Sequence, residues 1–128
     1  MKIGLFGTGA YGMAISSILI DNHCEVTMWT KIEEEKNELE KTRMNEKRLP
    51  GFRLDDSIKI TTNVEECIKD KDLLMIAIPA AFVDALCVSM APYINNNHNN
   101  SDNNGKQSIL FAILFEYSQY LESFKYCN

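Results

Sequence analysis

The sequence predicts an α/β fold, a doubly wound parallel sheet in a single domain, from three observations. Segments typical of strands alternate with segments typical of helices along most of the 128 residues. The most apolar segment, Leu73–Ile78, is bounded by Asp72 and Pro79 and is typical of a central parallel strand buried on both faces. A glycine-rich turn over Gly7–Gly12 separates the first predicted strand from the first predicted helix.

The N-terminal half is predicted to contain three strands and two helices. The apolar run Lys2–Phe6 predicts the first strand, and the apolar periodicity after the turn predicts a helix over Tyr11–Asp21. Glu25–Trp29 is rich in side chains that favour strands and predicts the second strand. Charges spaced three and four residues apart, with few apolar residues among them, predict a surface helix from Glu33 to about Lys47. A short third strand is expected at Ile58–Thr61.

Two helices are predicted to flank the apolar strand. A brief helix is expected over Val64–Lys69, with Thr62 or Asn63 as its N-cap, because both side chains can accept a hydrogen bond from the first turn. After the strand, Ala81–Met90 predicts an apolar helix, which Pro92 is expected to end because proline lacks the N–H group of a helix interior.

The last quarter of the chain differs in composition from residues 1–94. Residues 95–106 contain an asparagine-rich tract that cannot bury enough apolar surface to fold, so a disordered loop is expected there. Residues 107–128 are expected to form a last strand at Ser108–Phe115 and a divergent tail, in which Glu116–Asn128 has the pattern of an amphipathic helix.

The composition argues against several kinds of protein. The net charge of −5 and the lack of a basic stripe argue against nucleic-acid binding. The four cysteines form no C-x-x-C pair, so neither a metal site nor a disulfide framework is expected. No apolar run is long enough to span a bilayer, and the first residues lack the pattern of a signal peptide. We therefore expect a cytoplasmic protein.

The glycine-rich turn has the G-x-G-x-x-G spacing of a dinucleotide-binding, Rossmann-type domain, which we place at residues 1–94. Its first glycine permits a tight turn, its second lets the backbone approach a diphosphate, and its third lets the helix pack closely on the strand. The diphosphate would lie over the unpaired N–H groups at the positive end of the helix. The alternative is a purely structural turn. The candidate binding residues in the turn are Gly7, Thr8, Gly9, Ala10, Tyr11 and Gly12.

Two further residues are candidates for contact with the cofactor. At the end of the second strand the sequence is Trp29-Thr30-Lys31, with no carboxylate to bind a ribose 2′-hydroxyl. Either NAD or NADP is therefore expected, with the 2′-phosphate of NADP tolerated and Lys31 able to pair with it. Alternatively, Lys31 only lies at the start of the next helix, and the nearby Glu33 is the acid that binds the ribose 2′-hydroxyl. Phe82 follows the end of the apolar strand, where it would cover an adenine or ribose, or instead pack in the core with Leu86.

These motifs resemble those of the N-terminal domain of NAD(P)-dependent glycerol-3-phosphate dehydrogenase. The resemblance runs from Met1 to about Ile94 and resumes briefly at Ser108–Ala112. Four motifs carry the resemblance. They are the glycine-rich turn Gly7–Gly12 with Tyr11 (the dinucleotide-binding fingerprint), the strand end Val26-x-Met28-Trp29-x-Lys31, the loop Arg48-Leu49-Pro50-Gly51 and the segment Ile76-x-Ile78-Pro79-x-x-Phe82.

The resemblance implies that Ala10, Tyr11, Lys31 and Phe82 contact a nicotinamide dinucleotide. It also implies an oxidoreductase that reduces dihydroxyacetone phosphate to sn-glycerol 3-phosphate, a precursor of glycerophospholipids. In the family, the cofactor supplies the hydride, and lysines polarise the carbonyl and take part in proton transfer.

The chain departs from the family after its last predicted strand. Family members have a small-Lys-Gly turn there and continue into a helical substrate domain, whereas this sequence has Phe111–Phe115 and ends at Asn128. We therefore expect a truncated relative without catalytic residues, to which dihydroxyacetone phosphate binds only if another chain supplies the missing half. A homo-oligomer is a further expectation. The alternatives are a ketopantoate reductase or hydroxyacyl-CoA dehydrogenase type of domain, and a non-catalytic module that senses NAD(P).

Overall fold

Five parallel strands form one sheet in the computed structural model, which describes residues 1–99 and 110–113. Strand β1 lies in the middle, and the chain builds outward from it first on one side and then on the other, so the doubly wound topology is confirmed. The order across the sheet is β3-β2-β1-β4-β5. The strands are β1 (Lys2–Phe6), β2 (Glu25–Trp29), β3 (Lys59–Thr61), β4 (Leu73–Ile76) and β5 (Leu110–Ile113).

Four α-helices connect the strands of the described part of the chain. A short 3-10 turn, Ala80–Phe82, precedes the last of them. Asn63 is the N-cap of the third helix, where its side chain accepts a hydrogen bond from the Glu65 N–H at 2.9 Å. No helix within residues 1–99 is long and apolar enough to cross a bilayer. The helices are α1 (Ala10–Asp21), α2 (Glu33–Thr42), α3 (Val64–Ile68) and α4 (Val83–Asn99).

Helix α2 ends five residues before the predicted Lys47, so that boundary was wrong. Arg43 adopts a left-handed conformation with φ 60°, and its N–H donates to the Leu39 carbonyl at 2.9 Å. Its guanidinium donates to the Ile58 carbonyl at 2.7 Å, which holds this conformation in place. Leu39 is the only buried side chain of α2, so little packing favours a longer helix.

Helix α4 continues through Pro92, contrary to the expected end before this residue. Leu86 and Met90 are buried before the proline, and Tyr93 and Ile94 pack against the same cluster after it. Packing on both sides therefore outweighs the hydrogen bond that proline cannot make. Asn95–Asn99 are helical as well, although they were expected to lie in the disordered loop, whereas 100–106 lie outside the described residues.

Strand β4 is fully buried on one face only. Leu74 and Ile76 are buried, but Leu73 and Met75 are half-buried, so the expectation of burial on both faces holds in part. At the edge of the sheet, β5 confirms the core of the predicted strand Ser108–Phe115. The predicted helix at Glu116–Asn128 lies outside the described residues.

Two hydrophobic clusters form the core, one on each face of the sheet. Leu5 belongs to one cluster and Phe6 to the other, as expected for neighbouring residues of a strand. The first cluster packs β1, β2 and β3 against α1, α2 and the loop before β3; its buried members are Leu5, Met13, Val26, Met28, Leu39, Leu54, Ile58, Ile60 and Ala77. The second packs the sheet against α3 and α4; its buried members are Phe6, Cys67, Ile68, Leu74, Ile76, Leu86 and Met90.

Helix α3 packs directly on the backbone of β1 at Gly4. A Cβ atom at Gly4 would collide with the carbonyl oxygen of Cys67 and lie 2.8 Å from Cδ2 of Leu74. Cys67 itself is buried, and its thiol donates to the Thr27 carbonyl at 3.4 Å. The absence of a side chain at Gly4 therefore lets α3 cover two strands at once.

We expect the stability of the domain to fall above pH 9 because of Cys67. Burial raises the pKa of the Cys67 thiol from 9.0 to about 12. Between these values the unfolded chain loses the proton and the folded chain keeps it, so the free energy of unfolding decreases by about 1.4 kcal/mol per pH unit. Urea unfolding at pH 8, 9 and 10 measures this decrease.

The C67A and C87A variants separate this thiol from the other groups that titrate in the same range. Cys87 is exposed, so C87A should keep the pH dependence of the wild type. C67A should lose the contribution of the buried thiol. Equal pH slopes for C67A and C87A would contradict the interpretation.

Candidate functional site

Backbone segments come into contact at Gly7, in the turn after β1, and at Gly12, in the first turn of α1. Gly7 has φ 130°, and a Cβ atom there would collide with the carbonyl oxygen of Ala77, which follows β4. A Cβ atom at Gly12 would collide with the carbonyl oxygen of Gly7. Any side chain at either position would therefore push α1 or the segment after β4 away from β1.

Gly9, in contrast, faces open space. It is the N-cap of α1, with φ −73° and ψ −175°, and a Cβ atom there would meet nothing within 4 Å. Its extended backbone suits any residue, so the fold does not require glycine at this position. The missing side chain leaves room for a ligand against the backbone.

The N-terminus of α1 is not capped by a side chain. Its first internal hydrogen bond joins the Met13 N–H to the Gly9 carbonyl at 3.0 Å, and its first turn contains no acidic residue. Within residues 1–99, no acceptor lies against the N–H groups of Ala10, Tyr11 and Gly12. Unpaired N–H groups at the positive end of a helix bind anions.

Thr8 is tied to two residues that sequence reasoning missed. It is buried, and its hydroxyl donates to Oε1 of Glu35 on α2 at 2.5 Å. Nδ2 of Asn45 donates to the same carboxylate oxygen at 3.1 Å and to the Thr8 carbonyl at 3.3 Å. No sequence signal pointed to these contacts, because Glu35 and Asn45 are 27 and 37 residues from Thr8.

Lys31, which follows β2, is exposed, whereas the carboxylate of Glu33 is paired with other side chains. Lys31 makes no ion pair among the described residues. Oε2 of Glu33 accepts a hydrogen bond from the Thr62 hydroxyl at 2.9 Å, and its Oε1 lies 3.7 Å from Nζ of Lys36. The Glu33 carboxylate is therefore drawn toward the segment after β3 and toward its own helix.

Phe82 lies on the surface and not in the core. Its exposed fraction is 61%, whereas that of Leu86 one turn later is 4%. The alternative in which Phe82 packs beside Leu86 in the core is therefore wrong. Tyr11, on the first turn of α1, is also exposed, at 45%.

The candidate residues all follow the carboxyl ends of neighbouring parallel strands, which lie on the same side of the sheet. Phe6 at the end of β1 is in register with Trp29 on one side and Ile76 on the other. The fingerprint turn, Lys31 and the segment with Phe82 therefore leave the sheet at one level, where α/β sheets bind ligands. Within the described part of the chain, no cluster of three His, Cys, Asp or Glu side chains is placed to hold a metal ion.

Comparison with known families matches residues 2–101 to the family described as NAD-dependent glycerol-3-phosphate dehydrogenase N-terminus. The glycerol-3-phosphate dehydrogenase (NAD(P)+) of Agathobacter rectalis is 38% identical over 93 residues, which are 73% of this chain and 28% of that protein. The chain therefore matches less than a third of the length of this relative.

Solved structures with the same fold include enzymes with different names. The crystal structure of glycerol-3-phosphate dehydrogenase from Coxiella burnetii superposes with a TM-score of 0.71 at 18% identity, over 95% of this chain and 35% of that one. A structure described as a 2-dehydropantoate 2-reductase, from Enterococcus faecalis, has a TM-score of 0.58 at 20% identity, over 97% of this chain and 37% of that one. Because both identities are low, these two structures show only that the fold is shared. The family match is stronger evidence, since it covers residues 2–101 of the chain. This chain belongs to the NAD-dependent glycerol-3-phosphate dehydrogenase N-terminus family.

Proposed function

We propose that this chain binds a nicotinamide dinucleotide, NAD or NADP, as the cofactor-binding part of a glycerol-3-phosphate dehydrogenase. The observation that carries the proposal is the uncapped N-terminus of α1 beside the open space at Gly9. The residues proposed to contact the cofactor are Gly7, Thr8, Gly9, Ala10, Tyr11, Gly12, Lys31 and Phe82.

The turn residues are proposed to bind the diphosphate, which fits their geometry. The open side of Gly9 lets phosphate oxygens approach the backbone, and the N–H groups of Ala10 and Tyr11 would donate to them. Because no acid lies in the first turn of α1, no nearby carboxylate on this helix repels the ligand. The exposed rings of Tyr11 and Phe82 would cover the apolar parts of the cofactor.

Lys31 is proposed to pair with the 2′-phosphate of NADP. Its side chain is exposed, and it follows the carboxyl end of β2. Glu33, the acid that would bind a ribose 2′-hydroxyl instead, is hydrogen-bonded to Thr62. This arrangement supports tolerance of NADP beside NAD.

The whole enzyme is proposed to reduce dihydroxyacetone phosphate to sn-glycerol 3-phosphate, a precursor of glycerophospholipids. The bound cofactor supplies a hydride to the carbonyl carbon, and a proton must reach the carbonyl oxygen. None of the described residues is assigned to that proton transfer or to the substrate phosphate. The residues that match the Agathobacter rectalis relative are 28% of that protein. We propose that they supply the cofactor site, whereas the substrate site lies in the part of the enzyme that this match does not cover.

Two further proposals concern where the protein works and its association. The free thiols of Cys24, Cys67 and Cys87 support a reducing compartment, the cytoplasm. Exposed apolar side chains, such as Ile18 and Val88, support a homo-oligomer.

The G9A variant should lose cofactor binding and remain folded. The new methyl group occupies the open space in which the diphosphate is proposed to lie, and the backbone at Gly9 suits alanine. We expect Kd for NADH and NADPH to rise about tenfold or more, which is about 1.4 kcal/mol, with no decrease in the melting temperature. Titration calorimetry measures both ligands. A folded wild-type chain that gives no heat with NAD, NADH, NADP or NADPH would disprove the proposed function.

The K31A variant should separate the two cofactors. Loss of one exposed ion pair with the 2′-phosphate should raise Kd for NADPH about fivefold and leave Kd for NADH nearly unchanged. K69A is the matched control, because Lys69 is an exposed lysine at the end of α3, before β4 begins. An equal effect of K31A on both cofactors would show that Lys31 does not read the 2′-phosphate.

The chain alone should not oxidise NADH when dihydroxyacetone phosphate is added. The absorbance of NADH at saturating cofactor measures the reaction, and a parallel binding titration shows that the cofactor is bound. Oxidation that depends on dihydroxyacetone phosphate would show that the chain has a complete active site.

A further inference from the structure

The peptide group between Thr8 and Gly9 is fixed by a hydrogen bond from outside the turn. Nδ2 of Asn45 donates to the Thr8 carbonyl at 3.3 Å, and Asn45 lies in the loop that follows α2. A peptide group is planar, and in the trans form its C=O and N–H point in opposite directions. The bond from Asn45 therefore also sets the direction of the Gly9 N–H.

The Gly9 N–H belongs to the part of the turn proposed to bind the diphosphate. Gly9 precedes the first helical residue of α1, and the space around it is open. No side chain caps α1, and its third residue, Gly12, has no side chain that could reach back to the Gly9 N–H group. Its direction depends on the other side of the peptide plane, where Asn45 lies.

Asn45 is itself held by Glu35. Oε1 of Glu35 accepts from Nδ2 of Asn45 at 3.1 Å and from the Thr8 hydroxyl at 2.5 Å. All three residues are buried or half-buried, which strengthens these hydrogen bonds relative to bonds exposed to water. The carboxylate thus joins α2, the loop after α2 and the turn after β1 through charge-assisted hydrogen bonds.

We propose that Asn45, held in place by Glu35, is a positioning residue that aims the Gly9 N–H at the cofactor diphosphate. The inference rests on the proposed function, because it concerns the same site. It adds two residues from outside the fingerprint, neither of which touches the cofactor. The loop after α2 thereby becomes part of the binding site.

The N45A variant tests the proposal with NADH as the probe. Loss of the hydrogen bond to the Thr8 carbonyl frees the peptide plane, and we expect Kd for NADH to rise about tenfold, a typical effect of one such bond. N45D should show at least the same loss, because aspartate has nearly the same shape but no amide donor. N37A is the matched control, since Asn37 is an exposed asparagine on α2.

A spectroscopic measurement separates positioning from a loss of stability. In amide NMR spectra of the wild type, NADH should shift the Gly9 N–H signal strongly, because this group would donate to a phosphate oxygen. In folded N45A at saturating NADH, that shift should be much smaller, whereas the signals of residues on β3 should be unchanged. E35A, compared with the exposed-residue control E38A, should weaken NADH binding and reduce the Gly9 shift by the same mechanism.

The possible outcomes distinguish this inference from the proposed function. Wild-type affinity for NADH in folded N45A and E35A would overturn the inference and leave the proposed function intact. Weaker binding with an unchanged Gly9 shift would overturn it as well, since the effect would then not pass through this N–H group. A wild-type chain that binds no dinucleotide would overturn both.

Discussion

The close approach of other backbone segments to β1 is the constraint on which the rest of this structure depends. The carbonyl oxygens of Cys67, Ala77 and Gly7 occupy the space that side chains would fill at Gly4, Gly7 and Gly12. These contacts bring α3, the segment after β4 and α1 onto one central strand. Because β1 is the middle strand of the sheet, a displacement there would move the layers on both faces.

Charge is unevenly distributed where these backbone segments meet, at the carboxyl ends of β1 and β2. The uncapped N-terminus of α1 provides partial positive charge at the edge of the sheet, and Lys31 adds a full charge beyond β2. The Glu33 carboxylate accepts a hydrogen bond from Thr62, away from the turn after β1. The Glu35 carboxylate lies beside that turn, where it accepts hydrogen bonds from Thr8 and Asn45. Although the protein is acidic overall, the carboxyl ends of β1 and β2 thus have groups suited to an anionic ligand.

The sequence was sufficient where the local pattern and the tertiary contacts agree. The bounds of β1 and β2 were predicted to the residue. Helix α1 begins at Ala10, one residue before the predicted Tyr11, so the second half of the predicted turn Gly7–Gly12 is helical. The end of α2 was missed because a contact between the Arg43 side chain and Ile58 sets it, and the path of α4 was missed because packing outweighs Pro92. Asn45 and Glu35 were missed for a related reason, since their contacts with Thr8 span long stretches of chain and leave no periodic trace.

The position of β1 in the middle of the sheet also bears on the order of folding during synthesis. β1 pairs with β2 after a short excursion, Lys2 facing Glu25, but its other neighbour begins only at Leu73, opposite Ile3. Closing the longer loop costs more chain entropy. One side of the nascent sheet can therefore assemble on the ribosome while the other edge of β1 still awaits its partner, and until then the unpaired N–H and C=O groups of the central strand are open to mispairing.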